Sequence, residues 1–377
     1  MSDGDTLGII ATSRKENERR LPLHPRHLGE LPTGLRGRIH LERGYGARFG
    51  VPDAELAALV GALRPREELL GESDVVLLPK PTAADLAEIG EGGVLCGWVH
   101  CVQDAELTQV AIDRRLTLIA WEAMNHWSDD GSFGLHVFHQ NNELAGYSSV
   151  LHALQLIGTT GAYGRRLRAA VIGFGATGRG AVLALRALGV HDVSVLTHRE
   201  ANAVAAPIHS VRLLTYVHDR GAGALEVDGH AGSIADFLAD HDVIVNCVFQ
   251  DTEEPLTFVT NDELERFRPG TLFVDVSVDA GMGFEWARPT TFADPVFTVA
   301  PGLRCYAVDH SPSLLWDSAT WEISRALMPY LGPLADGPAA WEEETLRRAI
   351  EIRSGVVQNQ RILSFQDREP DYPHRRR

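Results

Sequence analysis

The stretch Ala169-Ala-Val-Ile-Gly-Phe-Gly-Ala-Thr-Gly-Arg-Gly180 decides the fold. A short apolar run leads into Gly173-x-Gly175-x-x-Gly178, and Ala181-Val-Leu-Ala-Leu-Arg-Ala-Leu188 follows at helical spacing. A glycine triplet alone says little, but strand, glycine turn and helix in that order point to a dinucleotide site. Gly173 permits the tight turn, Gly175 lets a pyrophosphate approach the backbone, and Gly178 lets helix and strand pack closely. The phosphates would sit on the free N–H groups of the helix start, Ala176 and Thr177 among them, where the helix dipole favours negative charge.

The rest of the chain is too long for one core: 377 residues call for two domains of ordinary size. A formal charge of −16 argues against a nucleic-acid partner, which needs a basic face. It leaves room for an anionic cofactor held by backbone N–H groups and a few local arginines. Cys96, Cys101, Cys247 and Cys305 lack metal-ligand spacing, and Met1–Ile10 reads as no secretory signal. The expectation is therefore a cytoplasmic protein with reduced thiols and no metal. No apolar run reaches membrane-spanning length, no internal repeat is visible, and Pro373-His-Arg-Arg-Arg377 reads as a frayed, solvated end.

Short apolar runs alternate with helical patterns before residue 140. Leu7–Ala11, Asp74–Leu78, Gly93–Trp98 and Leu116–Ala120 read as strands, and Asp53–Val60 as a helix capped by Asp53. From Asn141 to Ile157 the pattern is helical, a natural link between domains. Asp192–Leu196, Asp242–Asn246 and Thr271–Val276 continue the dinucleotide-type unit, and Ser313–Tyr330 and Trp341–Arg353 read as helices. The expected architecture is α/β: two Rossmann-like domains with parallel sheets and a cleft between them. Residues 1–140 plus 305–377 form a discontinuous substrate domain completed by C-terminal helices; 141–304 form the dinucleotide-binding domain.

The end of the second strand of such a unit selects the cofactor, and an acidic residue there binds the ribose of NAD. This chain has Thr197-His198-Arg199 instead. Thr197 and His198 can hydrogen-bond a 2′-phosphate, and Arg199 can pair with it. NADP(H) is favoured; NAD(H) stays possible, because Glu200 could turn inward to a ribose.

Several stretches resemble a known superfamily. Glu18-Arg-Arg20-Leu-Pro-Leu-His-Pro25 resembles the E-x-R-V-A-L-x-P opening of alanine dehydrogenases and the transhydrogenase first subunit. Gly97-Trp-Val-His100 resembles the segment that ends in their catalytic histidine, and Asp275-Val-Ser-Val-Asp279-Ala-Gly281 resembles their D-V-A-x-D-x-G segment. Within the superfamily the likeness is greatest to the N5-(carboxyethyl)ornithine synthases. It extends over Leu41–Gly46, Ala145–Leu151, Gly270–Gly281 and Ser311–Leu315, in matching order to about residue 325.

That resemblance implies a chemistry. A 2-keto acid such as pyruvate condenses with the side-chain amine of ornithine or lysine, and NADPH reduces the imine to a secondary amine. Arg20 is then the binder of the keto-acid carboxylate, since a guanidinium fork suits bidentate recognition. His100, at the carboxyl end of a strand where ligands of open α/β sheets gather, would protonate the departing carbinolamine hydroxyl. Asp279 would hold the nicotinamide ribose or the amine nitrogen, while Asp275, inside the strand, reads as structural. Lys80 stands directly before Pro81, out of step with the K-x-K-E-P stretch in which alanine dehydrogenases polarise the keto oxygen. An offset of one residue in an extended segment reverses the face. His126, His136 and His139 form a loose group beside the linking helix, suited to the amine side of the cleft rather than to a metal.

Three other readings share these residues: an alanine-dehydrogenase-like enzyme using ammonia, an enzyme cleaving a saccharopine-like secondary amine oxidatively, and a silent nucleotide-binding protein. Partners are expected to be a small keto acid and an amine, with neither nucleic acid nor membrane. A homo-oligomer is also expected, with the apolar Ser313–Tyr330 helix as one contact.

Overall fold

A computed structural model describes residues 5–198, 208, 211–218, 225–227, 230–249 and 255–377. They divide into two compact units, one from the chain's start to His139 together with Trp316–Arg377, the other Gln140–Leu315.

The first unit is built on a sheet whose parallel strands run, from one edge, Ala62–Arg64, Ile39–Glu42, Leu7–Ile9, Val75–Leu77, Val94–Gly97 and Thr117–Ala120. Numbered in chain order, that is 3-2-1-4-5-6, the doubly wound order with its switch point between Leu7–Ile9 and Val75–Leu77. The central strands are apolar runs because both their faces are covered: Val75, Val76 and Leu77 are all fully buried. On one face Ile10, Val76, Leu78, Leu95, Leu118 and Ala120 pack with Leu107, Ala111 and Ile112 of the helix Ala105–Asp113.

The second unit repeats this plan without repeating the sequence. Arg212–His218, Asp192–Thr197, Arg168–Ile172, Val243–Asn246, Leu272–Asp275 and Leu303–Tyr306 form the same parallel order among the described residues. Alternation along Arg168–Ile172 sends Ala169 and Val171 into one core and Ala170 and Ile172 into the other. The helix His139–Leu156 crosses the helix Ala176–Ala187 backbone to backbone: a Cβ on Gly146 would lie 1.9 Å from Thr177 O, and one on Gly180 1.8 Å from Glu143 O.

Several expectations are corrected. The chain does not pass to the first unit at residue 305. Leu303–Tyr306 pairs with Leu272–Asp275, and Ser311 exchanges hydroxyl hydrogen bonds with Ser148 and Ser149, so both stay in the second unit. Helices alone do not complete the first unit. The helical pattern after Trp341 yields only Glu344–Ala349; Ile350–Arg353 then adds to Thr117–Ala120 as an antiparallel strand, followed by Val356–Val357 and the helix Gln360–Phe365. Asp53 is not a cap: Pro52 precedes the helix Asp53–Ala57, and the Asp53 carboxylate accepts from Gly44 N at 2.9 Å. The apolar stripe of the helix Trp316–Ala335 is covered within the chain, with Ala319, Ile323, Leu327, Leu331 and Leu334 buried. It is therefore not an open contact surface. The C-terminal residues are not frayed either: His374 is 1% exposed and accepts a hydrogen bond from Val357 N. No helix among the described residues is long and apolar enough to cross a membrane.

Candidate functional site

In the first unit the carboxyl ends of the parallel strands carry the titratable residues. Lys80 follows Val75–Leu77 at the switch point, and its carbonyl accepts from Ser13 Oγ of the adjacent loop at 2.7 Å. Glu42, at the end of Ile39–Glu42, closes the same edge by accepting from the N–H groups of Ala11 and Thr12.

Arg20 is buried (4% exposed) in the irregular segment preceding the 3-10 helix Pro25–Glu30. Its Nε and Nη2 donate to the two carboxylate oxygens of Glu18 at 2.9 and 2.5 Å, and its Cζ lies 4.7 Å above the Trp98 ring. Trp98 is fixed in turn by edge-on contacts with Trp121 and Phe138, at centroid distances of 4.8 and 5.4 Å. The guanidinium is thus pre-oriented, with one edge committed to Glu18. Arg19 lies at the chain surface, and its carbonyl accepts from Arg48.

His100 comes three residues after the strand Val94–Gly97 and has φ +45°, left-handed for a residue with a Cβ. Such a conformation costs about 1–3 kcal/mol and persists only where the surroundings impose it. Glu122 does so from one side, its Oε1 accepting from the His100 N–H. Burial, and then the charge of Glu351, push the Glu122 carboxyl up to about 7, while Lys80 opposes the shift. Glu122 Oε2 is buried with no hydrogen-bond partner.

Sequence reasoning missed Glu122, although it follows Thr117–Ala120 at the same carboxyl edge that singled out His100. Glu18 and Trp98 stood inside quoted motifs without a role. Of the histidine group, His136 is structural: its Nε2 donates to Glu122 O, its Nδ1 accepts from Phe138 N, and burial holds its pKa down near 4, whereas His126 is exposed. Among the described residues no cluster of His, Cys, Asp or Glu could hold a metal ion. Cys101 is buried and its thiol is pushed far above its ordinary range, which removes it as a nucleophile.

In the second unit the glycine turn follows Arg168–Ile172 at its own switch point. Gly173 has φ +94°, a Cβ on Gly178 would lie 2.1 Å from Gly173 O, and a Cβ on Gly175 would point into open space. The helix Ala176–Ala187 starts there with no side-chain cap, so the N–H groups of its first turn are left to a ligand. These residues fit a pyrophosphate. Arg179, one turn in, has its guanidinium 4.7 Å above Phe174 and its Nη2 buried without a partner. Thr197 ends its strand buried, and His198 is exposed with its ring 6.0 Å from that of Tyr216. Arg199 lies outside the described residues.

Asp279 sits in the loop after Leu272–Asp275, where its carbonyl accepts from Met282 N. Asp275 is fully buried; Asn246 Nδ2 donates to its Oδ1 at 2.9 Å and its Oδ2 has no partner. Burial raises its pKa to about 8, and Asp279 adds to the shift. Since the folded chain holds this proton from about 3.8 up to about 8 while the unfolded chain releases it, stability falls as pH rises through that window. Asp275→Asn is expected to flatten the fall and to leave a melting temperature above pH 8 no lower than the parent's. Thermal melts across pH check this, and an unchanged slope would contradict it.

Comparison with known proteins follows the same two-part division. Residues 8–143 match the family model for "Alanine dehydrogenase/PNT, N-terminal domain" and residues 153–360 that for "Alanine dehydrogenase/PNT, C-terminal domain". An alanine dehydrogenase of Mycobacterium tuberculosis is 25% identical over 377 residues, 94% of this chain and 95% of the relative. An N(5)-(carboxyethyl)ornithine synthase of Clostridium botulinum is 22% identical over 340 residues, 86% of this chain and 93% of the relative. A solved L-alanine dehydrogenase superposes with a TM-score of 0.74 at 20% identity, covering 96% of this chain and 98% of that one, a likeness of fold.

Proposed function

The chain belongs to the alanine dehydrogenase/PNT family, and from that premise we propose an NAD(P)H-dependent oxidoreductase acting on CH–NH bonds. It condenses a 2-keto acid such as pyruvate with the amine of an ornithine-like or lysine-like amino acid. The imine is then reduced to a secondary amine. One observation carries the reading: a buried, pre-oriented guanidinium lies on Trp98, two residues before a histidine held in a strained conformation at a sheet's carboxyl edge. A carboxylate binder stacked on the side chain two residues before a proton donor suits a keto acid.

In this reading the keto-acid carboxylate pairs with the Arg20 guanidinium beside Glu18. Lys80 lies toward the keto oxygen. The amine adds to the carbonyl carbon, His100 protonates the hydroxyl that leaves as water, and the C=N bond forms. Gly173, Gly175, Ala176, Thr177 and Gly178 would hold the pyrophosphate of a nicotinamide cofactor, which when bound would supply the hydride for reduction of this bond. Asp279 holds the nicotinamide ribose or the amine nitrogen.

NADP(H) is the cofactor we favour, on Thr197, His198 and Arg199. A titration is expected to give a Kd for NADPH about ten-fold below that for NADH, the worth of one charge-assisted phosphate contact. Preference for NADH would refute the assignment, and unchanged preference in Arg199→Asp would move the 2′-phosphate elsewhere.

Ammonia as the amine is the second reading, favoured by the higher identity to the alanine dehydrogenase (25%) than to the synthase (22%). Against it stands Lys80 directly before Pro81, a departure from the alanine dehydrogenase stretch. Oxidation of NADPH with pyruvate against ornithine, lysine and ammonium separates the two; turnover with ammonium alone would establish the second. Turnover with no keto acid and amine pair would leave only nucleotide binding.

A further inference from the structure

His100 is pinned from a second direction, by the end of the chain. The side-chain amide of Gln366, 5% exposed, donates through Nε2 to the carbonyls of Cys101 and Val102 at 2.6 and 3.2 Å. These are the two residues that follow His100. The Cys101 carbonyl also accepts from Thr108 Oγ1 at 2.8 Å, so its lone pairs are both used. Gln366 is itself oriented: its Oε1 accepts from Arg368 Nε at 2.6 Å, which fixes the amide with its N–H groups toward the loop.

Arg368, 4% exposed, is held in turn by Gln109 Oε1 at 2.7 Å and by the His374 carbonyl at 3.1 Å. His374 is locked with both ring nitrogens used. Nε2 accepts from Val357 N, so Nδ1 carries the proton and donates to the Glu369 carbonyl, each at 3.1 Å. Backbone bonds from Glu369 N to Arg375 O and from Arg377 N to Asp367 O close the tail on itself. The relay runs from the C-terminus through His374, Arg368 and Gln366 to the peptide beside His100. Every member of it from residue 361 on lies beyond the stretch that matches the family model, which ends at residue 360.

We propose that the C-terminal tail is a positioning device for His100, with Gln366 and Arg368 as its positioning residues. A left-handed φ at a residue with a side chain is a poor resting state, and it is held by the turn bonds from Gln103 N and Asp104 N to its carbonyl together with two side-chain clamps. Glu122 takes the N–H of His100, and Gln366 takes the carbonyls just after it. Releasing one clamp lets the peptide relax and swings the imidazole away from its aim. The proposal rests on the catalytic reading of His100 given above.

Gln366→Glu is the direct test, because it keeps size and the acceptor for Arg368 while removing the N–H donors to the loop. Expected are a kcat lowered by about 10- to 100-fold with little change in NADPH affinity. The pH limb of kcat/KM that disappears in His100→Ala should shift, and amide hydrogen exchange at residues 101–103 should rise. Arg368→Lys keeps the charge but not the Nε bond, and should give the same pattern by a smaller step, so the test survives if the first variant folds poorly. Leu331→Ala, a core truncation in the helix Trp316–Ala335, supplies the control for lost stability alone. A kcat and pH profile equal to the parent's, or a loss no greater than that of Leu331→Ala at matched melting temperature, would overturn the proposal. Full turnover in His100→Ala would overturn the catalytic reading and this proposal with it. Lost turnover there with parent-like Gln366→Glu would overturn the proposal alone.

Discussion

His100→Ala is expected to lower turnover by about 10²–10³-fold, within the usual range for a lost general acid. Binding of NADPH should stay close to the parent's, because every residue proposed to touch the dinucleotide lies in the other unit. The backbone effect works in the same direction. Alanine tolerates φ +45° no better than histidine, so the variant keeps the strain while losing the imidazole. His100→Asn serves as the second variant, since asparagine adopts left-handed backbone readily but cannot donate a proton as an imidazolium does. Both should lose turnover, and His100→Asn should melt at or above the alanine variant. Steady-state rates with a cofactor titration check this. Unchanged turnover in both would remove His100 from the chemistry.

Arg20→Ala is expected to do two separable things. It strips the guanidinium from Glu18, a carboxylate only 6% exposed, and breaking a buried ion pair in this way costs about 3–5 kcal/mol. It also removes the proposed carboxylate fork, for which the KM of the keto acid should rise by about 100-fold. The double variant Glu18→Gln/Arg20→Ala divides these effects. Neutralising the stranded acid should recover much of the melting temperature and none of the KM. A double variant with parent-like KM would mean that Arg20 only balances Glu18, and that the substrate carboxylate binds elsewhere.

Four parallel strands of each sheet were legible because a doubly wound unit announces itself locally, while Ile39–Glu42, Ala62–Arg64, Arg212–His218 and Leu303–Tyr306 went unread. The strand Arg168–Ile172 is apolar from Ala169 on, its turn needs glycine at Gly173 and Gly178, and its helix follows at once. His100 and Arg20 were legible only through resemblance, since a lone histidine or arginine carries no local signature. Glu122 could have been found: it lies two residues past the end of the parallel strand Thr117–Ala120, where the edge rule applies to it as to His100.

The C-terminal region was misread for a definite reason. Glu344–Ala349 has helical composition, and its pattern was carried past the point where spacing changes to alternation in Ile350-Glu-Ile-Arg353. The tail carries no local pattern at all. His374 and Arg368 are buried by partners at Val357, Gln109 and Ala105, separations that no short-range reading of three arginines could reveal.

The most direct measurement follows deuterium. With NADPH labelled at the transferable C4 position, pyruvate and ornithine or lysine, the product should be a secondary amine one mass unit heavier, with the label on the carbon that was the keto carbon. Unlabelled product, labelled lactate in place of an amine, or no transfer with any amine or with ammonium would contradict the account.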